Sequence, residues 1–136
     1  MADYKKAIEK VLKTEGGYAN DPSDKGGETY KGISRKNWPS WDGWEIIDSA
    51  KKLPNFPKSL YRLVFLNDGV VLFYKVNFWD KIGGNNLKNQ SIGEMLLDSA
   101  VNEGFKPAIK RAEGIVGMPL TGKISDTLLS KLNSMS

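Results

Sequence analysis

An apolar stripe that stops on a carboxylate and two glycines sets how this fold begins. Tyr4, Ala7, Ile8, Val11 and Leu12 recur at helical spacing, which predicts a helix over residues 3–15 with Asp3 near its start. Gly16-Gly17 ends that helix. Glu15 stands three residues after Leu12 and four after Val11, on the same inward stripe. An ionised carboxylate loses hydration among apolar neighbours, and the unsatisfied carbonyls of a last helical turn disfavour a further negative charge. Both effects push a carboxyl pKa upward, as a general acid needs, and they make Glu15 the candidate catalyst. The bland alternative is a solvated surface charge at a helix end.

The next stretch reads as turns. Asp21-Pro22 and Lys25-Gly26-Gly27 are turn signals, Thr29-Tyr30-Lys31 is a brief strand, and residues 18–33 form an irregular loop or short hairpin. Ser34 can cap a short helix. Residues 37–58 are rich in Trp and Pro and read as a packed, mostly irregular connection with one short helix. Val70, Leu72, Tyr74, Val76 and Phe78 alternate like a strand, whereas Leu60, Leu63 and Val64 suit a helix. Ser91-Ile92-Gly93-Glu94 has the capping-box spacing ahead of a helical face of Ile92, Met95, Leu96, Ser99 and Ala100. Pro107 fits a first helical turn, and Ser125 caps a last helix carrying Leu128, Leu129 and Leu132.

A chain of 136 residues supports one compact domain, and 40% hydrophobic with 26% charged residues is ordinary for a globular protein. There is no cysteine and no histidine, which removes disulfide frameworks, histidine-activated nucleophiles and the usual zinc sites. Catalysis must then rest on carboxylates, lysines, tyrosines or backbone groups. The net charge of +4 is mild, and the lysines are scattered, with pairs such as Lys5-Lys6 and Lys51-Lys52 but no basic block. That pattern argues against nucleic acid as a partner and suits approach to an anionic polymer such as a cell wall. The N-terminus lacks a hydrophobic signal core, and no run approaches membrane-spanning length.

Glu15-Gly16-Gly17-Tyr18, Asp21-Pro22 with Asp24, Gly26-Gly27, Thr29 and Gly32-Ile33-Ser34 together resemble glycoside hydrolase family 108, the lysozyme-like N-acetylmuramidases of phages and bacterial secretion loci. Phe78-Trp79-Asp80 looks like that family's aromatic-Trp-Asp step, and Leu97 to Gly104 like its Asp-x-x-Val-Asn-x-Gly helix end. The tail from Lys110 to Leu132 resembles the associated peptidoglycan-binding-type segment. The chain departs from the pattern over residues 37–58, at Glu28, which replaces a small residue, and at Lys110-Arg111-Ala112. These departures bear on substrate preference more than on activity.

The resemblance implies a mainly α, lysozyme-like domain with a small β-hairpin after helix 1, and a helix over residues 67–78 despite the alternation. Residues 1–84 form the muramidase catalytic region. Residues 85–136 form a helical segment packed onto it as one compact unit, since residues 91–136 are too few to support a core alone. The implied reaction is hydrolysis of the β-1,4 bond between N-acetylmuramic acid and N-acetylglucosamine in peptidoglycan glycan strands. Glu15 gives the proton to the departing oxygen. Asp24 is the second carboxylate, stabilising the cationic transition state or activating water with Thr29; it is otherwise an Asx-turn residue before Gly26. Tyr18 and Trp79 either stack on sugars or belong to the core, and Asn102 binds an acetamido group. No metal or cofactor is expected. The expected state is a monomer without stable membrane insertion, made in the cytoplasm and acting on the wall (the periplasm) after holin-like or other release. A non-catalytic peptidoglycan-binding or secretion-accessory protein, and a lytic transglycosylase, are the alternative readings.

Overall fold

A computed structural model describes residues 1–21, 23 and 27–135. Helix α1 (Tyr4–Glu15) leads into a three-stranded antiparallel sheet of β1 (Tyr18–Asn20), β2 (Glu28–Tyr30) and β3 (Ile33–Ser34), in that order. Five further helices follow among the described residues: α2 (Gly43–Ala50), α3 (Val64–Tyr74), α4 (Gln90–Glu103), α5 (Phe105–Ile115) and α6 (Asp126–Asn133). The fold is mainly α with a small sheet after α1, and the expected hairpin gains a third strand. Helix α1 buries Ala7, Ile8 and Val11 from the stripe, and Gly16 stops it at a left-handed φ of 74°.

The contacts divide the chain into two compact units, Leu12–Leu72 and Met1–Val11 with Phe73–Ser136. The expected catalytic and C-terminal parts meet at residue 84, whereas the contacts group residues 1–11 and 73–84 with everything that follows. The reason is local. Ala2 N–H bonds to the Leu87 carbonyl at 2.6 Å, Asp3 and Gln90 exchange hydrogen bonds, and Lys10 pairs with Glu94 at 2.6 Å. Trp79 is the centre of this unit, 0% exposed, with the Tyr4 ring 5.4 Å away and its indole N–H on Asn85 Oδ1 at 2.9 Å. Gly84 makes room for it, because a Cβ there would stand 2.1 Å from the indole.

The unit Leu12–Leu72 has its own core of Tyr30, Ile33, Trp44, Ile47, Leu60, Leu66 and Val70. Trp44 donates its N–H to the Trp38 carbonyl at 2.9 Å, and Trp41 meets it edge-on at 5.4 Å. Tyr30, fully buried on β2, donates its hydroxyl to Asn67 Oδ1 at 2.6 Å, and Asn67 Nδ2 donates to the Leu60 and Leu63 carbonyls. Burial pushes the Tyr30 phenol up to about 12, so it stays a donor at any physiological pH.

The alternation over residues 70–78 belongs to a helix, as the resemblance implies. Val70, Tyr74 and Phe78 are four apart and so share a helical face, while Leu72 is left 60% exposed. A short π-helical turn, Lys75–Trp79, follows α3. Ser125 caps α6 as expected, accepting from Leu128 N–H at 3.1 Å. Ser91 does not cap α4. Asn89 does, accepting from Ile92 N–H at 3.1 Å, because Glu94 is engaged by Lys10 and Gln90 instead of reaching back. Ser34 lies in β3, and the chain after it makes turns before α2.

Glu113 on α5 is a buried carboxylate, 1% exposed. It accepts from the Thr121 hydroxyl at 2.6 Å and from the Thr121 and Gly122 N–H groups at 2.9 and 2.8 Å. The Thr121 hydroxyl first, and then the two amides, hold its carboxyl below the ordinary 4.5. A depressed folded pKa means that the unfolded chain binds the proton more readily, so this stabilisation is complete above 4.5 and lost as pH falls through the lower folded value. Glu113→Gln is expected to lower Tm at neutral pH, since its amide meets donors with a donor. The Tm gap to the wild type should narrow below pH 4.5, as followed by thermal melts across an acid series.

Candidate active site

Helix α1 delivers Glu15 on its last turn, half-buried, at the point where the chain turns into the sheet. Gly16 adopts the left-handed turn. Gly17 is fixed for a different reason: a Cβ there would stand 2.1 Å from the Tyr61 hydroxyl, so the turn lies directly against that ring. The Tyr61 hydroxyl in turn accepts from Tyr18 N–H at 3.0 Å. Lys31 N–H closes the other side on the Gly17 carbonyl at 3.0 Å. The backbone following the candidate acid is thus clamped between Tyr61 and the turn after β2.

Tyr18 faces Tyr30 across the β1–β2 ladder, and Thr29 faces Ala19 and Ser34. Side chains alternate along a strand, so Thr29 points to the sheet face opposite Tyr30. Tyr18 is half-buried; its ring meets Phe56 edge-on at 4.9 Å, and its hydroxyl donates to Glu28 Oε2 at 2.7 Å. Its phenol is raised by burial and by the Glu28 carboxylate. Asp24 lies outside the described residues, as do its neighbours Pro22, Lys25 and Gly26. Asp21 forms a turn, accepting from the Ser23 N–H at 2.9 Å and the Ser23 hydroxyl at 2.8 Å. Two other candidates belong to the second unit. Trp79 presents no ring face to a sugar, being wholly enclosed, and is a core residue. Asn102 is exposed on the last turn of α4.

Glu28, the departure from the family pattern, anchors a cluster. Its carboxylate accepts from Lys51 at 2.6 Å, Tyr18 at 2.7 Å and Arg35 at 3.1 Å. Arg35 also makes a two-pronged pair with Asp48, both contacts 2.8 Å, and lies over the Trp44 ring. Burial pushes the Glu28 carboxyl up, but the bonds from Lys51, Tyr18 and Arg35 outweigh it and leave it below its ordinary value. The hydrogen bonds from Arg35 hold Asp48 far below the usual carboxylate range. Glu28 is therefore an ionised acceptor that ties β2 to α2.

Beside Tyr61 opens a cleft of about 860 Å³, lined by Asn55, Lys58, Ser59, Tyr61 and Arg62. Reading the sequence missed this region, which looked like part of an irregular connection. The available signal was Lys58 and Arg62 four residues apart, flanking an exposed aromatic residue.

Gly17→Ala is expected to force the Tyr61 ring from its seat, because the ring end is the movable member of the clash. Loss of the Tyr18 N–H bond should cost about 1–2 kcal/mol in urea unfolding, with a larger proportional fall in activity.

No curated protein matches the chain. Among solved structures it is similar to one described as SagA of Brucella abortus, at 26% identity with a TM-score of 0.68, covering 98% of this chain and 70% of that one. The model of the glycosyl hydrolase 108 family matches residues 8–104, a span that contains Glu15, Tyr18, Thr29, Tyr61 and the cleft. The chain belongs to the glycosyl hydrolase 108 family and is a glycoside hydrolase.

Proposed function

We propose that this chain is an N-acetylmuramidase, cutting the β-1,4 bond between N-acetylmuramic acid and N-acetylglucosamine in peptidoglycan. Peptidoglycan hydrolysis is the activity at the level of the family, and the specific bond is our reading. The observation that carries it is Glu15: a half-buried carboxyl at the end of α1, followed by a clamped glycine turn beside an open cleft. Glycoside cleavage needs a proton on the departing oxygen while positive charge grows at the anomeric carbon. Protonated Glu15 supplies that proton. Asp24 is the second carboxylate, facing the cation or activating the water that Thr29 helps to hold. Water then completes the cleavage and restores the Glu15 proton. Tyr18 has its hydroxyl committed to Glu28 and contributes ring surface. The enzyme works at the wall after release by another protein.

Glu15→Gln keeps the shape of the side chain and removes the proton. It is expected to lower wall hydrolysis by about 10²–10⁴-fold with Tm unchanged or raised. Near-normal turnover by a folded Glu15→Gln protein would remove Glu15 from the mechanism. Asp24→Asn should lower turnover strongly, and Asp21→Asn little, because Asp21 is spent on the Ser23 turn. Mass analysis of the released muropeptides settles the chemistry: hydrated reducing ends support the proposal, and anhydro ends point to a transglycosylase.

A further inference from the structure

The cleft beside Tyr61 has a chemistry that the glycan backbone does not call for. Within a stem-bearing strand the lactyl carboxyl of N-acetylmuramic acid is amide-linked to the peptide, so the sugars themselves offer hydroxyl and acetamido groups, which are neutral. The cleft offers two cations, and neither Lys58 nor Arg62 pairs with a carboxylate among the described residues. Elsewhere in the same unit, Arg35 and Lys51 are both matched to acids. Lys58 and Arg62 both lie on the short 3-10 segment Lys58–Arg62 and line the cleft together with Tyr61. Ser59 on the same wall has a buried hydroxyl without a hydrogen-bond partner among the described residues. Buried hydroxyls without a partner are rare in folded proteins. Asn55, held at a left-handed φ of 70°, adds an exposed amide at the rim.

Position matters as much as charge. Tyr61 lies under the turn after Glu15 through its bond to Tyr18 N–H, and the same ring lines the cleft while remaining 46% exposed. The cleft therefore begins where the backbone of the candidate acid ends. In peptidoglycan the stem peptide branches from the lactyl group of N-acetylmuramic acid, the sugar at the bond to be cut. That peptide carries free carboxylates. We propose that Asn55, Lys58, Ser59, Tyr61 and Arg62 form a subsite for the anionic stem peptide, with Tyr61 packing on the sugar–peptide junction and Lys58 and Arg62 holding its carboxylates. The proposal rests on the reading of the chain as a peptidoglycan hydrolase, and it makes that enzyme selective for stem-bearing strands. Guanidinium and ammonium groups suit this task, the first for two-pronged and the second for point contact with carboxylates.

The test is binding to purified Gram-negative sacculi and to the glycan strands an amidase releases from them, their freed lactyl carboxyls capped as amides, with every protein carrying Glu15→Gln so that nothing is cleaved. Lys58→Ala/Arg62→Ala should weaken binding to intact sacculi roughly tenfold and leave binding to the capped strands unchanged. A charge-matched control, Lys36→Ala/Lys52→Ala, should change neither, which separates the subsite from general attraction by a positive protein. Equal losses on both substrates, no loss on either, an equal loss in the control, or no binding to intact sacculi would each overturn the subsite. Hydrolysis by the wild-type protein, measured on the same two substrates, reports separately on the enzymatic reading, since binding does not depend on cleavage.

Discussion

The hydrogen bond from the Tyr30 hydroxyl to Asn67 holds together everything of chemical interest in the unit Leu12–Leu72. Tyr30 sits in the middle of a three-strand sheet too small to be stable alone. Asn67 sits on the first turn of α3 and uses its amide to hold the carbonyls of Leu60 and Leu63. One buried pair thus joins the sheet, a 3-10 turn and a helix. Tyr61 projects from the turn so fixed, stacks near Tyr30 at 6.1 Å and supports the backbone after Glu15. The candidate acid is followed by a backbone turn whose support comes from a bond made far along the chain. Because the Tyr30 phenol is buried and holds its proton, this join is insensitive to pH over the range in which carboxylates titrate.

The carboxylates near the sheet divide by what surrounds them. Glu28 receives three donors, two of them charged, and is fixed as an anion with no proton to give. Asp48 is matched to Arg35 and Lys51, and Asp21 to its own turn. Each of these groups is committed to structure. Enzymes that use carboxyls as acids rely on such contrasts, in which different surroundings push the pKa values of neighbouring carboxyls apart. The cluster around Glu28 also shows how a departure from a family pattern is absorbed. A carboxylate in place of a small residue arrives with Lys51, Arg35 and the Tyr18 hydroxyl positioned to receive it.

Much of the fold was legible because local patterns carried it. The stripe ending at Glu15, the glycine stop, Pro107 in a first turn and the Ser125 cap all depend on neighbours within one helical turn. The capping motif at Ser91 misled because the helix starts a residue earlier, where Asn89 holds the Ile92 amide and Glu94 is engaged by Lys10 and Gln90. The alternation from Val70 to Phe78 was ambiguous in principle, since spacings of two contain spacings of four. At the site, the residues before and after the Gly-Gly turn were readable. Tyr61 was not, because its role arises from a contact forty-three residues away in sequence, to Tyr18 N–H. Trp79 gave a false lead: Gly84, which leaves room for it, is close in sequence, but the Tyr4 ring that packs on it comes from a distant part of the chain.

The division of the chain has a consequence for its synthesis. Residues 1–11 emerge from the ribosome before residues 12–72, yet the segment they pack with follows residue 72. The unit Leu12–Leu72 is contiguous and becomes complete while Ala7, Ile8 and Val11 still await their cover. At typical elongation rates the wait lasts roughly 3–12 s, far longer than helix formation or collapse. The first half of α1 is then an orphaned amphipathic strip on a nascent chain whose unit Leu12–Leu72 already has its shape.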